Sequence, residues 1–394
     1  MPRARRVILP DASHSALLER GVDLVQILRH NAVLPARHGR QADQDGGHAG
    51  GARGAEEDAW DEGSRSDGVG PTGVPRATME QWEAARRNLA PLRALTDPVM
   101  LGTENIPLPG GPREQLQRPV LLVGNHTQYG FYDLPLLLQL LYDRGVKARG
   151  LGHPGHWQSP LGTLFERFGA VPANGRNMLK LLSRNECVLL FPGGAREVNK
   201  RKGEAYRLFW SDTPDLVRIA ARANAIIVPF TALGGDDAFE LFMDTDEVLN
   251  APVLGPAVKT LYSTFAPFLE IEESVYPVPA LPLPKWLPGP RLPFPLPVPR
   301  IQRIYFKFHA PVDVGARCCA PRAPGRGRAR PDVEKCAEVY AEVQDTIRGG
   351  VSELQELRAR DPGRFLSVRL LAQARAYLPD AGLPDGRADP RRQV

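Results

Sequence analysis

The sequence predicts an α/β fold: a mainly parallel central sheet flanked by helices and interrupted by disordered inserts. Three observations carry this. Short, almost wholly apolar runs at 119–124, 187–190 and 225–233 have the composition of strands buried on both faces. Each leads into a loop containing glycine, at Gly124, at Gly193-Gly194 and at Gly234-Gly235. Helical periodicity falls between the runs, at 134–142 and 213–223. Strands alternating with helices bury their apolar faces as a parallel sheet covered on both sides.

Taken in order, residues 1–35 contain a short structured piece from Arg6 to Arg29. Residues 36–76 are polar, Gly-rich and of mixed charge, so they cannot offset their ordering entropy and read as a disordered linker. The main domain runs over 77–380. Its first helix is expected from Thr78 to Leu95, because Thr78 with Gln81 three residues on forms a capping box and Trp82, Ala85 and Leu89 follow at helical spacing. Pro91 is expected to bend or end it. The run Pro119-Val-Leu-Leu-Val-Gly is a buried strand, Leu134 to Tyr142 a buried helix, and Cys187-Val-Leu-Leu a second strand. Thr213 to Ala223 is a helix and Ala225 to Leu233 a third strand. Tyr276 to Arg300 alternates Pro with Leu, Val, Phe and Trp286, and few such residues can join a helix or a central strand. Arg303 to Ala310 reads as another strand, and 315–331 as a disordered Gly/Pro/Arg loop. Val333, Cys336, Val339, Val343, Ile347, Val351, Leu354 and Leu357 lie on one face of a long helix, weakened at Gly349-Gly350. Residues 381–394 form a tail.

Composition removes several function classes. Lys+Arg 50 against Asp+Glu 45 leaves +5 on 394 residues, too little for a nucleic-acid partner. Four cysteines without a CxxC pattern exclude a disulfide scaffold and a cysteine metal site. The longest apolar run, Leu134 to Tyr142, falls well short of the roughly 20 residues a membrane-spanning helix needs. Arg3, Arg5 and Arg6 precede only Val7 to Pro10 before Asp11 intervenes, so no secretory signal is visible, and Asp11, Glu19 and Asp23 argue against a transit peptide.

Two segments carry candidate chemistry. In Val123-Gly-Asn-His-Thr-Gln-Tyr-Gly-Phe-Tyr-Asp133, His126 follows a strand, where α/β proteins place their sites, and Asp133 opens a helix. A histidine acts as a base when a carboxylate fixes one ring nitrogen and leaves the other to take a proton, and this loop is long enough to fold Asp133 back to His126. The plain alternative is a solvated loop histidine and an N-capping aspartate. In Leu189-Leu-Phe-Pro-Gly-Gly-Ala-Arg-Glu-Val-Asn-Lys-Arg-Lys-Gly203, Gly193 and Gly194 expose backbone N–H groups suited to an oxyanion, with Arg196 and Glu197 beside them. Here the alternative is an ordinary turn followed by a basic surface run, Lys200-Arg-Lys202. The phosphate-cradling GxxxxGK[ST] loop is absent.

Gly124-Asn-His-Thr with Asp133, Phe191-Pro-Gly-Gly-Ala-Arg-Glu, and Val228-Pro-Phe-Thr-Ala-Leu-Gly-Gly-Asp-Asp together resemble the ordered blocks of the lysophospholipid acyltransferase superfamily. Arg201-Lys-Gly-Glu-Ala-Tyr-Arg-Leu-Phe-Trp210 and Gly169-Ala-Val-Pro-Ala extend the likeness to the plant and algal esterase/lipase/thioesterase-like proteins, the phytyl ester synthase and diacylglycerol acyltransferase family, over about 95–378. The resemblance implies a glycerolipid acyltransferase-like fold and an O-acyltransferase acting on a fatty acyl thioester, acyl-CoA or acyl-carrier protein. The acceptor would be diacylglycerol or a long-chain alcohol such as phytol. It implies no metal and no bound cofactor, a peripheral membrane or lipid-droplet surface, and a plastid location. His126 would be the general base and Asp133 its orienting carboxylate. Asn125 would support the loop, and Gly193, Gly194, Arg196, Glu197 and Arg176 would serve substrate and oxyanion.

The chain departs from the superfamily pattern at three points. Six residues rather than four separate His126 from Asp133, Gly193 replaces the usual acid of the Phe191-Pro-Gly-Gly block with Glu197 nearby to compensate, and Arg176 is displaced from the acceptor-phosphate position. A weakened phosphate clamp favours a neutral hydroxyl acceptor. Ile8 to Leu24 resembles the last motif of the α/β-hydrolase domain that precedes the acyltransferase in this family, with His14 at the triad position, but no GxSxG occurs. A hydrolase remnant is therefore expected at 1–35. The competing readings are an inactive lipid-binding or regulatory module and an esterase or lipase.

Overall fold

Thr78 starts the first helix, α1 (Met79–Thr96), by the capping box its sequence predicts: its hydroxyl takes the Gln81 N–H and the Gln81 side chain takes the Thr78 N–H. In the computed structural model the described residues are 73, 76–107, 118–158, 161–265, 270–283, 291–320 and 330–377. The expected hydrolase remnant with His14, nearly all of the 36–76 linker, Trp286 and the 381–394 tail lie outside them. Pro91 does not end α1. Trp82 is buried and stacks on Tyr142 at 4.7 Å. The Thr96 hydroxyl donates to the Leu92 carbonyl in the last turn, so the helix runs on past the proline to its C-terminus.

The chain then runs β1 (Val99–Leu101), β2 (Val120–Gly124), α2 (Leu134–Tyr142), β3 (Ala148–Gly152), α3 (Leu161–Arg167), β4 (Val171–Pro172), α4 (Gly175–Leu182), β5 (Cys187–Leu190), α5 (Gly194–Val198), α6 (Asp215–Arg222) and β6 (Ile226–Leu233). There follow β7 (Leu241–Met243), α7 (Thr245–Asn250), α8 (Leu254–Phe265), α9 (Ile271–Ser274), β8 (Val278–Pro279), β9 (Tyr305–Phe308), β10 (Val312–Asp313), α10 (Val314–Cys318), α11 (Val333–Arg360) and α12 (Leu366–Tyr377). The main sheet has the order β1-β9-β6-β2-β5-β3-β4, with β10 also on β6. Pairings β1–β9, β6–β2, β2–β5, β5–β3 and β3–β4 are parallel, and β9 and β10 meet β6 antiparallel.

Both faces of this sheet are covered, as its unbroken apolar strands require. Leu121, Val123, Val188 and Ile227 pack on one side against Met178, Leu181, Val217, Ala220, Val339, Val343 and Ile347, from α4, α6 and α11. Val120, Leu122, Leu189, Val228 and Phe306 pack on the other side with Leu136, Leu137, Leu140 and Leu141 of α2. α11 runs unbroken through Gly349-Gly350, because its buried face continues on both sides from Val343 to Leu354. The expected 315–331 loop begins instead as helix α10: Asp313 caps it by accepting the Ala316 N–H, and Cys318 is fully buried. Residues 321–329 lie outside those described. Within the Pro-rich stretch, β8 pairs with β7 and Ala280 bridges Pro293, so short strand pairing survives there despite the prolines.

Candidate active site

The parallel strands β2, β5 and β6 deliver their following loops to one edge of the sheet, where α/β folds hold their ligands. Gly124-Asn-His leaves β2 and Phe191-Pro-Gly-Gly leaves β5, while Gly234-Gly-Asp leaves β6. Asn125 locks the first loop to β6. Its amide donates to the Ala232 carbonyl (3.0 Å) and accepts the Ala232 N–H (2.8 Å), replacing strand pairing where β2 has ended.

His126 sits in the middle of this arrangement. Its ring stacks on Phe191, with centroids 4.3 Å apart. Its other neighbour is Gly130, where the backbone is left-handed (φ 69°) and an added Cβ would fall 2.3 Å from the ring's Cε1. Only glycine fits there on both counts. Burial pushes the imidazole down to about 3, and positive charge on Lys200 and His156 adds to the effect. The ring is therefore neutral at physiological pH, the state that can accept a proton.

Asp133 occupies the N-cap position of α2 but makes no side-chain cap bond. Its carboxylate instead takes the Thr127 hydroxyl at 2.7 Å. The direct His126–Asp133 hydrogen bond expected from the sequence is thus replaced by a contact one residue along. The turn through Tyr129 (φ 59°) and Gly130 folds the loop so that Thr127, not the imidazole, meets the aspartate. Burial raises the Asp133 carboxyl to about 6, with the Thr127 bond acting the other way.

The residues of the segment after β5 divide into two groups. Glu197 is completely buried, and its carboxylate takes the backbone N–H of His126 (2.7 Å) and of Phe209 (2.9 Å). A Cβ on Gly193 would lie 2.2 Å from the Glu197 Cδ, so the carboxylate fills the space a side chain at 193 would need. The Gly194 N–H closes a turn on the Phe191 carbonyl (3.1 Å), which removes it as an oxyanion donor. Arg196 turns to Glu204 (2.6 Å) and lies over the Phe209 ring at 3.9 Å. Arg176 is exposed on the first turn of α4, which follows β4 at the sheet's edge. β4 is three strand spacings from β2, about 14 Å.

The structure also supplies residues that sequence reasoning did not single out. Lys200 is buried and donates to the His126 carbonyl (2.5 Å), so it is no part of a solvated basic face. Asp236 takes the N–H of Gln128 (2.7 Å) and of Tyr206 (2.6 Å). His156, in the turn after β3, also lowers the His126 imidazole and stacks on Phe165. Beside the loop, Tyr129, Phe131, Phe239 and Tyr276 form a chain of ring contacts 4.9 to 6.4 Å apart. Asp236 falls in the Gly-Gly-Asp-Asp that ends the third motif, a signal available in the sequence. For Lys200 and His156 the only signal is position after a strand.

Comparison with known proteins agrees with these motifs. Residues 100–232 match the Acyltransferase family model. Phytyl ester synthase 2, chloroplastic, of Arabidopsis thaliana is 34% identical over 293 residues, 71% of this chain and 38% of that protein. Phytyl ester synthase 1, chloroplastic, of the same plant is 33% identical over 261 residues, 64% of this chain and 34% of that protein. The chain thus spans little more than a third of the length of these relatives. Among solved structures it is similar to the 1-acyl-sn-glycerophosphate (LPA) acyltransferase PlsC from Thermotoga maritima, at 17% identity and TM-score 0.38, over 70% of this chain and 78% of that one. Residues 100–232 thus resemble the Acyltransferase family, and the chain is related over 71% and 64% of its length to these two plant phytyl ester synthases.

Proposed function

We propose that this chain is an O-acyltransferase that moves a fatty acyl group from an acyl thioester, acyl-CoA or acyl-carrier protein, to the hydroxyl of a neutral lipid, diacylglycerol or a long-chain alcohol such as phytol. The observation that carries the reading is the neutral imidazole of His126, held at the carboxyl edge of the sheet among three converging loops. His126 takes the acceptor's hydroxyl proton as the oxygen attacks the thioester carbonyl. The carbonyl electrons move onto oxygen, then return as the C–S bond breaks, and the departing thiolate takes the proton back from the imidazolium. The Gly193 N–H is the candidate oxyanion donor in the β5 turn. Asp133 acts through Thr127. The reaction so written uses no metal and no bound cofactor.

A neutral acceptor is supported by where the cations are. Arg176 lies at the far edge of the sheet, and Arg196 is engaged with Glu204. The aromatic chain beside the loop suits an apolar substrate. Phe131 and Tyr276 are 45% and 50% exposed there, and Leu292 and Leu296 of the Pro-rich stretch are 50% and 65% exposed. Aromatic side chains favour membrane interfaces, and no helix among the described residues is long and apolar enough to cross a membrane. Peripheral contact with a lipid surface through this side, and a plastid location like that in the relatives' names, complete the reading.

The test is ester formation by the purified chain from labelled acyl-CoA or acyl-carrier protein, with diacylglycerol or phytol in vesicles. His126→Ala should abolish it, since a general base contributes ~10²–10⁴ in rate. Transfer that survives this substitution overturns the reading, and so does vesicle-dependent hydrolysis without any ester product.

A further inference from the structure

Lys200 is the first of three successive cations. The other two pair with carboxylates of α7: Arg201 with Asp246 at 2.5 Å and Lys202 with Glu247 at 2.6 Å. Lys200 points the other way and is only 1% exposed. Its ammonium lies 2.5 Å from the His126 carbonyl oxygen, 3.0 Å from that of Glu197, and 3.5 Å from the Asp236 carboxylate. Glu197 holds the opposite side of His126 by its N–H. Both main-chain polar groups of the histidine are therefore gripped, one by a cation and one by an anion, from a single segment of chain. Burying such ions costs several kcal/mol each even after relaxation, and apolar replacements of similar size are often as stable. Stability alone does not account for an ammonium here.

We propose that Lys200 is a positioning residue for acyl transfer, fixing the main chain of His126 so that the imidazole stays seated between Phe191 and Gly130. The inference rests on the general-base reading of His126. The charged and titratable groups around His126 are Lys200 and Glu197 from the segment after β5, which hold its main chain, His156 from the turn after β3, and Asp133 behind Thr127. Asp236 stands behind Lys200. Glu197 is committed to two backbone N–H groups and Asp236 to two more, so their negative charge is spent on the scaffold. Phe191 and Gly130 supply the remaining apolar walls.

The experiment uses the whole chain with selectively ¹³C-labelled histidine, the His126 signal being assigned by its loss in His126→Ala. Lys200→Gln keeps hydrogen-bond donors and loses the charge, while Lys200→Met loses both and Lys200→Arg keeps the charge. The inference expects the His126 titration midpoint to rise by about one unit in Lys200→Gln, as the imidazole leaves its buried seat, and to stay at the parent value in Lys200→Arg. It expects kcat to fall about 10-fold or more in Lys200→Gln, and further in Lys200→Met, while KM for the thioester stays within about two-fold. Should Lys200→Met fail to fold, the Gln and Arg variants decide the matter. An unmoved midpoint in Lys200→Gln, a midpoint in Lys200→Arg that moves as the Gln variant's does, or a kcat equal to the parent's overturns the inference. Loss of transfer in His126→Ala alongside a parent-like Lys200→Gln rejects Lys200 alone, whereas transfer retained in His126→Ala rejects the general base itself.

Discussion

The carboxylate of Glu197 lies against Gly193, four residues before it, and takes the backbone N–H of His126 at 2.7 Å. A side chain at 193 and a carboxylate from 197 cannot share that space. Gly193→Ala should therefore push Glu197 aside, cost about 1–3 kcal/mol by overpacking, and lower transfer activity more than its stability loss explains. Thermal melts and initial rates check this. The double variant Gly193→Ala/Glu197→Ala should recover part of the stability and none of the activity, a coupling that a double-mutant cycle reads directly.

On the general-base reading of His126, Asp133 supplies an acid limb to the proposed acyl transfer. Its carboxyl is raised to about 6 and the His126 imidazole is lowered to about 3. As pH falls through 6 the aspartate gains a proton and loses its charge beside Thr127, while the ring remains neutral. kcat should fall with an apparent pKa near 6 in the parent. In Asp133→Asn the rate should be lower throughout and flat across that range. A limb that persists in Asp133→Asn assigns the titration to another group.

Asn125 satisfies both polar groups of Ala232 inside the core. Asn125→Ala leaves a buried N–H and a buried carbonyl unpaired, at roughly 1–3 kcal/mol each. Urea unfolding should show a loss of about 2–6 kcal/mol. A change below about 1 kcal/mol would mean that water or a relaxed β2–β6 edge takes over the role.

His309 carries a pH dependence of stability. Its ring meets the Thr231 hydroxyl at 2.9 Å, and burial lowers it to about 4 from the ordinary 6.5. Between those values the unfolded chain holds the proton and the folded one does not. Stability at this site is therefore complete above 6.5 and is lost as pH falls toward 4. His309→Gln should remove up to one proton from the uptake on unfolding in that window, seen as a shallower fall of Tm with acid.

The sequence was most readable where one physical signal acted alone. β2, β5 and β6 are apolar runs, α1 has its capping box, and α2 appears with the bounds its pattern predicts, Leu134–Tyr142. β3 was hidden, because Ala148-Arg-Gly-Leu-Gly looks like a loop until Arg149 is seen buried, donating to the Gly169 carbonyl and facing Glu186. Asn125, His126 and Glu197 were legible from the ordered blocks they belong to. The Asp133 contact was not, because spacing gives the reach of a loop and leaves its turn undetermined; two successive left-handed residues, Tyr129 and Gly130, sent the carboxylate to Thr127. Lys200 was hidden by its neighbours, since a run of three cations does not reveal which one turns inward.

The grip on His126 comes from a stretch of chain some seventy positions downstream, and the grip on Gln128 from one a hundred and eight downstream. Recognition loops are often exchanged between related proteins as portable cassettes, and this one does not travel alone. A chimera that imports 124–133 inherits the histidine but none of the ionic bracing that aims it; the smallest unit worth transplanting is the trio of strand-end segments together.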